Sequence, residues 1–473
     1  MPIHAVGEKW PKPEDSVGGE IQTRRMALLR SKKVWWACGP TLARFDEDIQ
    51  PAIDSALRNI DACHYDIDLR LYMMGRKKES SRPIIFVCCS DATVRRDAED
   101  CIRKSGLLRK YPGFGLGASP LPLEGISKVL SGDDLHPELS VPGENNSESE
   151  VFAQEELPVV GRKLWVRLHA NGPFLRRGTG GVVIVVDGKH YQLTAGHIRD
   201  DESLVDWEDL HFDGQFDDDD DEDDRSESSG IDCGSTSRGS RTPLGILGLE
   251  DSESPRSTPS GMTTNETRAV DLPETTENES DSLKYVGTIK LYSKDLDYAL
   301  VNIPEPDSGV DLLNLLQFPR GLGQRPIHIR SIREIPVQDQ SVVVITSSQG
   351  PITATLQPSF AYVRPAGSMR FQKTHVMELN GEALHGDSGA PVVDSVSGEL
   401  YGMLVRGCPG TRIAYVLSAH VIFEDIGREV HAPVSILTSP ANAALDNASG
   451  SFTRLPGPPT VADTHITSWG FIV

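Results

Sequence analysis

Ser388 stands in Leu384-His385-Gly386-Asp387-Ser388-Gly389-Ala390-Pro391-Val392-Val393, a glycine-rich turn that runs into an apolar strand. Glycines on both sides let the backbone approach a substrate carbonyl with no Cβ in the way. The amides of Gly386 and Ser388 can then converge on one spot and bind a developing oxyanion. A serine hydroxyl is a weak nucleophile, so this chemistry needs a histidine base and a carboxylate to orient it. The chain offers both upstream. His197 ends Tyr191-Gln192-Leu193-Thr194-Ala195-Gly196-His197, and Asp297 lies in Asp295-Leu296-Asp297-Tyr298-Ala299-Leu300-Val301. Alone, each of the three has an ordinary reading as a turn serine, a loop histidine or a surface aspartate.

Together they resemble the trypsin-like serine proteases. Leu193-Thr194-Ala195-Gly196-His197 is similar to that family's histidine motif, Asp297-Tyr298-Ala299-Leu300 to its aspartate motif, and Gly386-Asp387-Ser388-Gly389-Ala390-Pro391 to its serine motif. Their order is the family's. Asp295 is the rival carboxylate, but only Asp297 begins the Asp-x-Ala-Leu pattern. Asp297 precedes Ser388 by 91 residues (388 − 297), against about 93 in the chymotrypsin template. His197 precedes Asp297 by 100 residues (297 − 197), against about 45 there, so an insertion of roughly 55 residues is expected between them.

The resemblance implies a catalytic triad of His197, Asp297 and Ser388, with Gly386 and Ser388 forming the oxyanion hole. It implies an all-β double six-stranded barrel over residues 158–430. By the same resemblance Glu382 falls at the floor of the substrate pocket, Arg406 on its wall, and Ile413 where a small residue usually leaves room. Asp387 resembles the aspartate that pairs with a freshly cleaved N-terminus, a role for which Val159-Val160-Gly161 is the matching stretch.

The surrounding elements fit. Lys163-Leu164-Trp165-Val166-Arg167-Leu168 alternates like a strand. Gly178-Thr179-Gly180-Gly181 turns into Val182-Val183-Ile184-Val185-Val186, and Asp187-Gly188 marks a hairpin back to Tyr191. Evenly spaced short strands with turn residues between them continue from 285 to 416, and a helix is expected over 418–426. Residues 41–130 read as a small α/β module: a helix from 45 to 63, strands at 66–74 and 83–89, and a helix capped by Ser90 or Asp91. Residues 1–40 are expected as a flexible N-terminus, 131–157 as a linker and 431–473 as a tail. Cys88-Cys89 before a helix N-terminus is a candidate reactive thiolate; two cysteines packed in a strand is the ordinary reading.

The formal net charge of −22 is mostly local. Residues 200–224 hold fifteen Asp or Glu and no Lys or Arg. The insertion, 200–283, cannot bury enough apolar surface to offset ordering and is expected to be disordered. Its aspartates lack the glycine and final glutamate of a Ca²⁺ loop, so no metal and no cofactor are expected. The rest of the chain gives no basic surface for nucleic acid. No apolar run is long enough for a membrane span, and no secretory signal opens the sequence. Seven cysteines, five of them in the first 101 residues, favour a reducing, intracellular and cytoplasmic setting. The expected function is serine endopeptidase acting on a protein or peptide substrate, regulated by the insertion or by a protein partner of the N-terminal module. The alternative is a catalytically silent protease fold used for binding.

Overall fold

The computed structural model describes residues 10–21, 32–60, 64–125, 127–130, 132–135, 149–154, 159–167, 174–199, 283–303, 314–316, 318 and 326–438. The expected acidic insertion and the chain from 439 onward lie outside the described residues.

The chain begins with five strands. These are β1 (Val17–Glu20), β2 (Lys33–Ala37), β3 (Ile67–Gly75), β4 (Arg82–Cys88) and β5 (Gly115–Ser119). The first four pair antiparallel in sequence order, and β5 joins β4 in parallel across the helix Ala92–Ser105. The uninterrupted apolar run in β4 is what a strand covered on both faces requires. Asp91 caps the helix, its carboxylate accepting the Thr93 and Val94 amides at 2.8 Å each, and Gly106 in the left-handed region ends it. A second helical run, Gly39–Arg44, Phe45–Ile49 and Gln50–Leu57, buries Phe45, Ile49, Ile53 and Leu57 against this sheet. Residues 17–20 and 33–37, expected to be flexible, are therefore ordered in strands.

Two short strands follow, β6 (Lys128–Val129) and β7 (Gly132–Leu135). The first ring is built from β8 (Glu150–Gln154), β9 (Lys163–Arg167), β10 (Phe174–Thr179), β11 (Val183–Val186), β12 (Lys189–Ala195), β13 (Leu283–Ser293) and β14 (Tyr298–Asn302). β10 bends through Gly180 and Gly181 into β11, so the two act as one strand. The ladder then runs from β11 to β12, β14, β13, β8 and β9, and returns to β10. At the bend the Gly181 amide donates to the Leu193 carbonyl at 2.7 Å, and a Cβ on Gly181 would lie 2.8 Å from that oxygen. Only glycine fits there. β8 comes from the stretch expected to be linker.

After a small hairpin of β15 (Leu315–Leu316) and β16 (Ile327–His328), the second ring comprises β17 (Gln340–Thr346), β18 (Gly350–Arg364), β19 (Gln372–Leu379), β20 (Pro391–Asp394), β21 (Leu400–Gly407) and β22 (Ile413–Ser418). Its order is β18, β17, β20, β21, β22, β19 and back to β18. The helix Ala419–Val430 and β23 (Val434–Ile436) then return to pair with β11 of the first ring. Val182, Leu193 and Leu300 of the first ring share one buried core with Val343, Val393 and Met403 of the second and Ile422 of the helix. Two closed six-stranded antiparallel rings form the trypsin-like double barrel expected from the sequence.

The N-terminal strands are not a separate body. β18 is fifteen residues long, and its far end pairs with β3, Ala361 opposite Arg70 and Arg364 opposite Ile67. The second ring and the five-stranded extension thus share one continuous sheet. A buried charge cluster seals the seam. The Arg70 guanidinium lies 2.8 Å from Asp68, 3.4 Å from Glu124 and 4.4 Å above the Tyr415 ring. The Tyr72 and Tyr415 hydroxyls both donate to the Glu124 carboxylate at 2.5 Å. Removing one partner from such a cluster leaves the others buried and unpaired. Glu124→Ala is expected to lower unfolding stability by about 3 to 5 kcal/mol. Arg333→Ala, which removes a half-exposed cation from Asp394 and Glu399, is expected to lower it by about 1 kcal/mol or less. Denaturant unfolding of the two variants measures the contrast.

Gly389 is the tightest joint between the rings. Its φ is +97°, and a Cβ there would sit 2.1 Å from the Thr179 carbonyl oxygen. Gly188, at φ +74°, has nothing within 4 Å. Gly188→Ala should therefore cost only the left-handed backbone penalty of about 1–2 kcal/mol, and Gly389→Ala several times that or loss of the fold. Melting temperatures of the pair check the ranking.

Candidate active site

β12 ends at Ala195 and the chain makes a single turn, Gly196–Ile198, that carries His197. Asp297 sits at the head of β14 in the left-handed region, at φ +50°. Two sets of bonds lock them together. The imidazole Nδ1 is 2.8 Å from Oδ2 and 2.9 Å from Oδ1 of Asp297. The His197 amide donates to Oδ1 at 2.8 Å, and the Gly196 amide donates to the Asp297 carbonyl at 3.0 Å. A Cβ on Gly196 would fall 2.9 Å from the Tyr298 amide nitrogen, so the residue before the histidine has to be small. Both side chains are 11% exposed. A carboxylate on Nδ1 holds the proton there in neutral imidazole and leaves Nε2 as the acceptor. Nε2 is buried and has no hydrogen-bond partner among the described residues. Asp295 is engaged elsewhere, accepting from the Ser368 hydroxyl at 2.8 Å.

The Ser388 loop is held from both rings. Gly386 and Gly389 adopt φ of +95° and +97°. The Gly386 carbonyl accepts from the Thr179 hydroxyl at 2.8 Å and the Ser347 hydroxyl at 3.1 Å. The Thr179 amide donates to the Ser388 carbonyl at 2.7 Å, and the Gly389 amide to the Leu404 carbonyl at 2.8 Å. Asp387 is fully buried beneath the loop. Its carboxylate accepts the Leu384 amide at 2.9 Å and the Ser348 amide at 3.2 Å. Burial pushes its carboxyl above the usual range, against the pull of Ser348, Leu384 and Arg177. Val160, in the stretch matched to a cleaved N-terminus, is buried in the core shared by the rings, and the Gly161 amide donates to the Gly180 carbonyl at 2.7 Å. The loop thus satisfies Asp387 with its own amides and that of Ser348.

The cleft beside Ser388 is occupied by the chain itself. β6 pairs antiparallel with β21, Val129 opposite Arg406 and Lys128 opposite Gly407. The next residue, Leu130, places its carbonyl on the Gly386 amide at 2.5 Å. Its own amide donates to Ser388 Oγ at 3.1 Å. The Ser388 hydroxyl in turn donates to the Val405 carbonyl at 3.2 Å and makes no hydrogen bond to His197. The Leu130 side chain is 1% exposed and packs in one cluster with Ala383, Ala390, Leu404 and Ala414. Both its Cδ atoms would lie 3.1 Å from a Cβ on Gly407.

The three residues expected at the pocket take different places. Glu382 is exposed, and its carbonyl accepts from Gln349 Nε2 at 2.9 Å; Ala383 is the residue beside Leu130. Ile413 packs against the core of the N-terminal strands, and Ala414 joins the Leu130 cluster. Arg406 is buried but pairs with Asp66 at 2.6 Å, and Gly407 is the residue of that strand beside the Leu130 side chain. Ala383, Gly407 and Ala414, which lie beside Leu130, each directly follow one of these three residues, and adjacent side chains on extended chain point to opposite faces. Leu130 itself carries no local sequence signal. Only the pairing of β6 with β21 reveals it.

Cys88 and Cys89 are buried, and burial pushes both thiols up, that of Cys89 to about 12, so both are neutral. No group of three or more His, Cys, Asp or Glu among the described residues is placed to hold a metal ion. No helix among the described residues is long and apolar enough to cross a membrane.

No family model matches the sequence, and no curated protein matches it. Among solved structures, the chain is similar to a glutamic-acid-specific serine protease, with 14% identity over 55% of this chain and 94% of that one and a TM-score of 0.31. It is similar to protease A of Thermobifida fusca, with 13% identity over 60% of this chain and 100% of that one and a TM-score of 0.32. The protease of Nocardiopsis gives 11% identity, the same coverages and a TM-score of 0.31.

Proposed function

We propose that the chain is a serine endopeptidase that cleaves peptide bonds through an acyl-enzyme intermediate. The observation that carries this reading is a peptide carbonyl seated on the Gly386 amide immediately beside Ser388. In the reaction Ser388 turns its hydroxyl from the Val405 carbonyl toward His197 Nε2, which takes the proton as Oγ attacks the carbonyl carbon. Asp297 fixes the tautomer and stabilises the imidazolium. The Gly386 and Ser388 amides bind the oxyanion. His197 then protonates the leaving amine and activates the water that releases the acid. A pocket lined by Ala383, Ala390, Leu404 and Ala414 favours a mid-sized apolar side chain at the scissile residue, in place of the Lys or Arg that a carboxylate floor would select.

One observation favours the silent alternative: the Ser388 hydroxyl is bonded to Val405 and not to His197. A fluorophosphonate probe separates the readings. Because Leu130 fills the pocket, labelling is compared in the natural chain and in Leu130→Glu. Labelling is expected in Leu130→Glu and absent once Ser388→Ala or His197→Ala is added. Asp297→Asn in the same background is expected to slow it by about 10⁴-fold, the loss typical of a wrong histidine tautomer. A folded Leu130→Glu chain that takes no label rules out the protease reading.

A further inference from the structure

We propose that the Leu130–Ser131 peptide bond is the enzyme's own substrate, cleaved within the same molecule, and that the new Leu130 C-terminus stays in the pocket as a tethered product. This rests on the protease reading above and names a substrate for that same site.

Four features place the segment as a substrate rather than as a chance contact. Its backbone joins β21 as an antiparallel strand, the mode in which an extended peptide adds to a sheet edge. The carbonyl carbon of the bond in question is the one whose oxygen lies on the Gly386 amide. The Leu130 side chain is buried among apolar residues, with Gly407 leaving room for it on β21. Beyond the bond, β7 pairs antiparallel with β10, Gly132 opposite Arg177 and Leu135 opposite Phe174. The chain therefore runs through the cleft on both sides of Ser388, along β21 of the second ring before the bond and along β10 of the first ring after it.

The chemistry balances without any further reactant but water. Ser388 Oγ bonds to the Leu130 carbonyl carbon and passes its proton to His197. The C–N bond to Ser131 breaks, and the nitrogen takes that proton as a new amino terminus. Water then opens the Leu130 ester, leaving a carboxylate on Leu130 and the hydroxyl on Ser388.

Anchoring on the two sides of the bond is unequal, and this decides what stays. Upstream, Glu124 is held by Tyr72, Tyr415 and Arg70, and β3 is paired to β18. Downstream, β7 is a four-residue strand at the end of its sheet, paired among the described residues to β10 alone. The leaving amine can withdraw, while the acyl side remains. A six-residue tether from Glu124 to Leu130 (130 − 124) keeps the carboxylate at an effective concentration on the order of millimolar.

The test is intact-mass analysis of the full chain expressed in its natural form and as Ser388→Ala. The natural chain is expected to yield fragments 1–130 and 131–473 that stay together through size-exclusion chromatography and separate only in denaturant. Ser388→Ala is expected to remain a single chain. Leu130→Glu and, independently, Gly407→Val are expected to slow cleavage at least 100-fold. In a refolding time course the cleavage rate should not change over a 50-fold dilution. A natural chain that stays intact, while Leu130→Glu takes the fluorophosphonate, overturns self-cleavage and leaves the protease reading standing. An intact natural chain with no labelling of Leu130→Glu overturns both. Cleavage at another bond, or cleavage that slows in proportion to dilution, also overturns the proposal.

Discussion

The ladder between β3 and β18 is the constraint on which the rest depends. Four residues of each strand, 67–70 and 361–364, are in register, and through them the second ring acquires a five-stranded wing. That wing ends at β5, and the chain leaves it toward Glu124, which the buried cluster around Arg70 fixes in place. From there the backbone can reach only a short distance, and within that distance lies the edge of β21. A loosely tethered segment would meet the cleft rarely, because closing a long loop costs entropy before any contact repays it. Here that closure entropy has been met by sheet pairing and buried ion pairs in the seam.

The same seam explains Arg406. A guanidinium buried in a cleft wall needs a partner, or burial destabilises it heavily. Its partner, Asp66, is the residue just before β3, and the other Asp66 carboxylate oxygen accepts the Ala366 amide at 2.8 Å. The extension therefore supplies charge compensation as well as backbone pairing to the wall of the site. A chain stripped of the extension would leave the buried Arg406 without Asp66. The N-terminal strands and the second ring share one sheet.

Legibility from sequence divides along contact range. His197, Asp297 and Ser388 announce themselves through neighbours a few residues away: a small residue before the histidine, the Asp-x-Ala-Leu pattern that Asp297 begins, and glycines around the serine. Asp91 could be read as a helix cap for the same reason. What sequence could not give was register across long separations. Arg406 and Asp66 are 340 residues apart, and Leu130 and Ser388 are 258 apart. Distance along the chain from Ser388 does not tell Glu382 from Ala383, whose side chains lie on different faces, and only the packed structure sets Ala383 beside Leu130. β8 looked like linker because its five residues sit beside an acidic, Ser- and Gly-rich stretch, and only its pairing with β9 and β13 makes it part of a ring.

On the protease reading proposed above, occupation of the cleft by the chain itself sets a threshold for any other substrate. A free peptide must compete with a tethered Leu130 whose effective concentration is on the order of millimolar, at or above the substrate constants of most enzymes, which run from about 1 μM to 1 mM. Competition of that kind cannot be won by modest affinity. It is relieved only when the tether is lengthened or removed, and the tether is short because Glu124 is pinned. Loss of the bonds from Tyr72 and Tyr415 to Glu124, or unpairing of β3 from β18, would lengthen the tether. Either event disrupts a buried cluster and is cooperative rather than gradual. The fold thus couples access to Ser388 to the integrity of a seam formed by residues that take no part in the chemistry.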